Sequence, residues 1–258
     1  MAFLEFKDMR IAGFSAGVPK YVAVNDTVAS KDYAAADFVA TTGVKERRIG
    51  DFTTSDLCYE AAERLLSDLQ WRKEEVGALI FVSQTADYIL PATACILQDR
   101  LGLSKECYAL DVALGCSGWV YGLSVIAGLL SKEGITKALL LAGDAKKRAQ
   151  GASDPLFGHA GTVTAVEYSE GAAGFKFHVG TDGSGFDAII TPDGGSRNQF
   201  TEDSLKLIQD SDGVTRHRLQ TVMKGMDVFA FGITTVPKTV KKLLEKHQIS
   251  IDSIDYFV

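Results

Sequence analysis

Cys116 is the side chain best placed for chemistry in this sequence. It sits in Asp111-Val112-Ala113-Leu114-Gly115-Cys116-Ser117-Gly118-Trp119, where a strand-like run ends, small residues make a turn and a long apolar stretch begins. A thiol where a helix starts meets unpaired backbone N–H groups and the positive end of the helix dipole. That setting favours the thiolate, the nucleophilic form. The same N–H groups can hydrogen-bond a thioester oxygen as it gains charge. Gly115 and Gly118 would let backbone and substrate approach closely. Apolar burial pushes a thiol the other way, so activation needs a partner. The competing reading is a small buried cysteine filling space at a crowded turn. Cys58, Cys95 and Cys107 lie inside helix or strand patterns and read as core.

The four cysteines form no C-x-x-C pair, which fits neither a zinc site nor a disulfide framework. They read as reduced thiols of a cytoplasmic protein, and no metal site is expected. Of the histidines, His178 falls in a strand pattern, His217 in a charged loop and His247 at a helix end, all structural or surface positions. His159 stands beside a glycine turn and also reads as structural.

The elements that must position Cys116 alternate between strand and helix. Helices are expected at Ser55 to Gln70, with Ser55 as N-cap, at Ala92 to Leu101, closed by Gly102, and at Ser117 to Leu130. Strands are expected at Ile11 to Ala16, Ala78 to Ser83, Tyr108 to Val112, Lys137 to Ala142 and Gly161 to Tyr168. This order implies βαβ units, hence an α/β fold with a parallel sheet covered by helices on both faces. A polar loop runs from Lys146 to about Pro155. Strands follow at Phe175 to Val179 and Ala188 to Thr191, then a long loop, a helix at Met226 to His247 and a strand at Ile254 to Val258. That last pair echoes Ser55 to Ser83, a weak sign of internal duplication.

Composition sets limits. The 258 residues are 46% hydrophobic and 23% charged, so the chain can bury a large core and hold two domains. A net charge of -6 argues against a nucleic-acid binder. Met1 to Arg10 lacks the apolar centre of a signal peptide. Val112 to Ser131 carries no charge and is long enough to span a bilayer, but its glycines and serines and the preceding strand mark the central helix of a soluble domain.

Several blocks resemble one family in order. Asp111 to Ile126 is similar to the nucleophile segment of ketoacyl-acyl-carrier-protein synthase III enzymes, which belong to the thiolase-like condensing enzymes. Thr42-Gly43-Val44-Lys45-Glu46-Arg47-Arg48-Ile49 resembles the family's Thr-Gly-Ile-x-x-Arg segment, and Leu90-Pro91-Ala92-Thr93-Ala94 its Pro-Ser/Ala-x-Ala helix start. Ala138 to Asp144, Phe157-Gly158-His159-Ala160-Gly161, Gly180 to Gly185 and Met223-Lys224-Gly225 match further blocks. The likeness spans nearly the whole chain.

The resemblance implies a thiolase-like αβαβα layered fold from two similar halves, here 1–171 with the cysteine and 172–258 as an incomplete second half. It implies a homodimer without a cofactor, whose substrates are coenzyme A or carrier-protein thioesters. Cys116 would take the acyl group and condense it with a malonyl thioester that loses carbon dioxide. Leu90, Ile189 and Phe229 match positions that line or gate the family's acyl tunnel. Lys238, Lys241 and Lys242 share a helix face able to meet an acidic acyl carrier protein, though a solvated face explains them as well. The family's histidine and asparagine follow the strand matched by Asp255 to Val258, so the chain is expected to be C-terminally truncated and inactive alone. Asp37 and Thr41 fall where coenzyme-A users place Trp and Arg, which makes a carrier-bound donor an alternative. Two other readings stand: the same acyl-cysteine with an alcohol or amine acceptor, and a non-catalytic partner subunit.

Overall fold

A computed structural model describes residues 2–25, 35–145, 155–209 and 213–258. In chain order the elements are β1 (Ala2–Phe6), β2 (Met9–Gly17), β3 (Tyr21–Val24), α1 (Ala35–Thr42), β4 (Glu46–Ile49), α2 (Thr54–Asp68), β5 (Ala78–Val82), α3 (Thr93–Arg100), β6 (Tyr108–Val112), α4 (Gly118–Leu129), β7 (Lys137–Asp144), β8 (Ala160–Tyr168), β9 (Phe175–Val179), β10 (Ile189–Ile190), β11 (Ile208–Gln209), β12 (Thr215–Arg216), β13 (Val222–Met223) and α5 (Gly225–His247). The chain divides into two compact units: Glu5–Phe175, and Lys176–Val258 with Met1–Leu4.

The larger unit is built on a five-stranded sheet ordered β2-β8-β7-β5-β6. β5 runs parallel to both β6 and β7, whereas β8 is antiparallel to β7 and to β2. The sheet is therefore mixed rather than wholly parallel. The first and last strands of the unit supply the antiparallel edge, a common arrangement in large α/β sheets. β5 is apolar and buried throughout, and β7 is so from Ala138 to Leu141, because both faces of the sheet are covered there. Leu79, Phe81, Leu139 and Leu141 join the core beneath α2 and α3, together with Cys58, Ala61, Leu65, Ala94 and Leu97. On the opposite face α4 lies against Val82 and Leu140.

α2 begins one residue before the expected cap. Thr53 accepts from the Asp56 N–H at 3.1 Å while the Asp56 carboxylate accepts from the Thr53 N–H at 3.1 Å, a reciprocal cap. Ser55 is instead buried in the first turn and donates to both Asp87 oxygens. α3 ends at Gly102 as expected, with φ of 65°. β3 and β4 form an antiparallel pair, so the Thr42 to Ile49 block ends in a strand.

In the smaller unit β1 pairs with β9, β10 with β13 and β11 with β12. α5 spans Gly225–His247, close to its expected limits. The strand expected at Ile254 to Val258 is not formed: Ile251–Ser253 make a 3-10 turn and the following residues are extended, exposed chain. Among the described residues no strand lies alongside to accept its hydrogen bonds, and a β-strand exists only as part of a ladder. The loop expected from Lys146 to about Pro155 falls, up to residue 154, outside the described residues.

Candidate active site

Cys116 lies between the end of β6 and the start of α4, at the elbow that its neighbours predict. The thiol is exposed. The turn is tied by the Gly118 N–H donating to the Gly115 carbonyl at 2.8 Å and by the Leu114 N–H donating to Val112 at 2.9 Å. Glycine is required twice in α4. A Cβ on Gly118 would lie 2.4 Å from Val82 Cγ1, and one on Gly122 would lie 2.5 Å from Leu140 Cδ1. These two positions, one helical turn apart, face the sheet and bring the helix down onto β5 and β7. The thiol is thereby fixed at the carboxyl end of the parallel strands, where open α/β sheets build their sites.

The other cysteines differ. Cys58 is buried, and burial pushes its thiol up to about 12. Burial likewise raises Cys107 to about 11. Both are poor nucleophiles. Cys95, expected in the core, is exposed, because Ala94, Leu97 and Leu101 are the positions α3 turns inward.

Two carboxylates hold the surroundings of the elbow. Asp111, five residues before Cys116, accepts from the Thr93 and Ala94 N–H groups, both at 2.7 Å, at the start of α3. Those bonds join the nucleophile segment to the Pro91-Ala92-Thr93 block. Asp144, at the end of β7, accepts through one oxygen from the Ser83 hydroxyl, the Gln84 N–H and the Thr85 hydroxyl, each at 3.0 Å. The carboxamide of Gln84 lies over Gly115, with three atoms 3.1–3.2 Å from where a Cβ would stand. Gln84 and the hub role of Asp144 were not legible from spacing. A polar residue directly after a buried parallel strand is the signal that points to such positions.

The remaining candidates are placed as follows. Leu90, in the larger unit, is 83% exposed, flanked by Ile89 and a cis peptide to Pro91. Ile189 on β10 and Phe229 in α5 belong to the smaller unit and are 49% and 60% exposed. None of the three is packed as core. Lys238, Lys241 and Lys242 are exposed along α5, with Lys241 3.7 Å from Glu245. His159 is structural: its N–H donates to Arg48 at 2.7 Å and its ring nitrogen lies 3.0 Å from the Gly50 carbonyl. Asn25, fully buried, donates to Val44 and Pro155 and accepts from Arg47, whose guanidinium also reaches Phe157. That network fastens the Thr42 to Ile49 block to the Phe157 block as scaffold. His178 stacks on Phe3 at 4.5 Å and contacts the Thr239 carbonyl.

A depression of about 390 Å³ is lined by Phe14, Ser15, Ala16, Trp119, Thr162 and Thr164, with the Trp119 indole donating to Thr164 at 3.0 Å. Cys116 lies outside it. Among the described residues no group of three or more His, Cys, Asp or Glu is gathered to hold a metal ion, and no helix is long and apolar enough to cross a membrane.

The mixed sheet, its covering helices and the exposed cysteine at a glycine-packed strand-to-helix elbow define an α/β fold, and similarity to solved structures makes it thiolase-like and of the acyltransferase class. The comparisons with known proteins narrow this. The family model for 3-oxoacyl-[acyl-carrier-protein] synthase III matches residues 110–183, which include Cys116. The beta-ketoacyl-[acyl-carrier-protein] synthase III of Fusobacterium nucleatum is 32% identical over 257 residues, covering 95% of this chain and 74% of that protein. The solved 3-oxoacyl-(acyl-carrier-protein) synthase from Burkholderia xenovorans LB400 superposes with a TM-score of 0.88 at 36% identity, over 99% of this chain and 74% of that one. A second solved 3-oxoacyl-(acyl-carrier-protein) synthase III gives 0.89 at 35%, over 96% and 77%. The chain belongs to the 3-oxoacyl-[acyl-carrier-protein] synthase III family.

Proposed function

We propose that this chain is a condensing acyltransferase in fatty-acid or related biosynthesis and that Cys116 carries the acyl group. The Cys116 thiolate attacks the carbonyl carbon of an acyl thioester and expels the coenzyme A or carrier thiol. A malonyl-carrier thioester then loses carbon dioxide, its enolate carbon attacks the acyl-cysteine, and the Cys116 thiolate leaves with the new carbon–carbon bond made. Neither step needs an added redox or metal group. The observation that carries the reading is the exposed thiol at the elbow before α4, where helix-start amides can hydrogen-bond a developing oxyanion.

By the resemblance, Leu90 in the larger unit and Ile189 and Phe229 in the smaller are each assigned to contact with an acyl chain. Their exposure supports this, since large apolar side chains left open are the material of a lipid-chain site. Lys238, Lys241 and Lys242 offer exposed positive charge to an acidic carrier protein. β6 is an edge of its sheet with Tyr108 exposed, which suits pairing with a second copy in a homodimer. Residues 1–171 and 172–258 are read as the two thiolase-like halves, and the enzyme as cytoplasmic.

Intact-mass measurement after incubation with an acyl-coenzyme A or acyl-carrier thioester tests this. Mass gain at Cys116, lost in Cys116→Ala, supports the assignment. Absence of any acylation of the full chain would favour a non-catalytic subunit. Carbon dioxide release from malonyl-carrier separates condensation from transfer to an alcohol or amine.

A further inference from the structure

The larger unit leaves one unspent polar group against the nucleophile segment. Gln84 follows β5, and its backbone N–H is held by Asp144 Oδ1 at 3.0 Å. Its neighbours Ser83 and Thr85 are held by the same oxygen. The backbone of this residue is thus fixed independently of its side chain. The side chain is exposed, and its carboxamide covers Gly115, the residue before Cys116, with Cδ and Nε2 at 3.1 Å and Oε1 at 3.2 Å from the glycine's missing Cβ. Three nearly equal distances mean the amide lies flat on the glycine. Among the described residues that carboxamide has no hydrogen-bond partner, so its N–H donors and its carbonyl acceptor are both available.

We infer that Gln84 is a specificity-determining residue of the Cys116 site, its carboxamide meeting the acyl chain at the carbons next to the thioester and favouring chains that carry a hydroxyl or carbonyl oxygen there. The inference rests on Cys116 being the acyl acceptor. An acyl group on that sulfur begins one residue along the chain from the glycine that the amide covers, so its second and third carbons are the part of the chain assigned to the amide. An amide both donates and accepts, so it can satisfy either a hydroxyl or a carbonyl. An unsubstituted chain would instead strip water from the amide without repayment, which disfavours it.

The test compares the initial rates of Cys116 acylation by 3-hydroxybutyryl and butyryl thioesters in the full chain, for the native residue and for Gln84→Leu and Gln84→Ala. Native protein is expected to favour the hydroxylated donor. Gln84→Leu, which keeps the bulk without the polar atoms, should lower the ratio of the two rates by about tenfold or more, the scale of one lost hydrogen bond. Gln84→Ala should lower it in the same direction. Iodoacetamide labelling of Cys116 should be unchanged in both variants, which excludes disturbance of the elbow. A native ratio at or below one, or a ratio the substitutions leave unmoved while both donors still acylate Cys116, overturns the inference alone. Failure of both donors on native protein overturns the Cys116 assignment and this inference with it.

Discussion

α2 and α5 are both amphipathic helices, yet they meet opposite fates. Of the 15 residues of α2, eight are buried, from Thr54 to Leu66. Of the 23 residues of α5, none is. α2 lies on a sheet whose strands β2, β7 and β8 pair over their length. In the smaller unit each strand pair that follows β9 is two residues long, too short to make an apolar floor. That unit is organised instead by polar ties. Arg218 donates to both oxygens of Asp193 at 3.0 Å, Ser204 adds a bond at 2.9 Å, and Lys224 pairs with Asp187. An apolar stripe thus specifies burial only where a matching surface exists, and hydrophobic stabilisation scales with that contact.

The contrast can be sharpened first by chemistry. At pH 8 a thiol raised to about 12 holds about one thiolate in ten thousand, so Cys58 should resist iodoacetamide, and Cys107 nearly as strongly. Cys95 and Cys116, both exposed, should label. Peptide mapping reads this, and fast labelling of Cys58 without denaturant would show that the larger unit has no tight core.

Next come core substitutions. Leu139→Ala, at a fully buried strand position, should cost about 2–5 kcal/mol by urea unfolding. Phe229→Ala on α5 should stay within about 0.5 kcal/mol, as exposed sites do. Equal losses at the two sites would abolish the distinction drawn between the helices. Gly118→Ala drives a Cβ into Val82 and should cost about 1–3 kcal/mol, with Cys116 acylation falling as the helix lifts. Val82→Ala in the same chain should recover part of both losses, and no recovery would show that the contact does not set the position of α4.

The smallest effect concerns acid. Arg218 holds the Asp193 carboxyl below the usual carboxylate range, and Lys224 does the same for Asp187. A depressed folded value stabilises above the unfolded value, near 3.8, and that gain is lost as pH falls through the folded value. The ties of the smaller unit should therefore loosen below about pH 4 while the apolar core of the larger unit persists. Pepsin digestion between pH 4 and pH 2 should cut within 187–224 before it cuts β5 or β7, and added salt should hasten the first cuts. Cleavage in the sheet first would reverse the ranking.

Much of the larger unit was legible before any coordinates. Tyr108 to Val112, and in the smaller unit Phe175 to Val179, were bounded to the residue, because a short run of strand-forming residues between turn residues leaves little choice. Other elements shifted by one or two residues. The antiparallel pairing of β8 was not legible, since strand direction depends on how the chain returns to the sheet rather than on its residues. Ser55 failed as a cap because Thr53 and Asp56 satisfied one another first. Cys95 failed as core because α3 turns a narrow inner face, and one residue of rotation moves a side chain about 100° around a helix.

What the sequence determined by itself was the placement of a cysteine at a strand-to-helix elbow and the ordered blocks that mark the family. Those are local facts, written in glycine spacing and apolar runs. Only the tertiary structure decided which side chains surround that elbow. Asp111 reaches the start of α3, Asp144 gathers residues 83–85, and Gln84 settles over Gly115, from chain positions up to about 60 residues apart. Such meetings follow from strand order and close packing, and no window of sequence contains both partners.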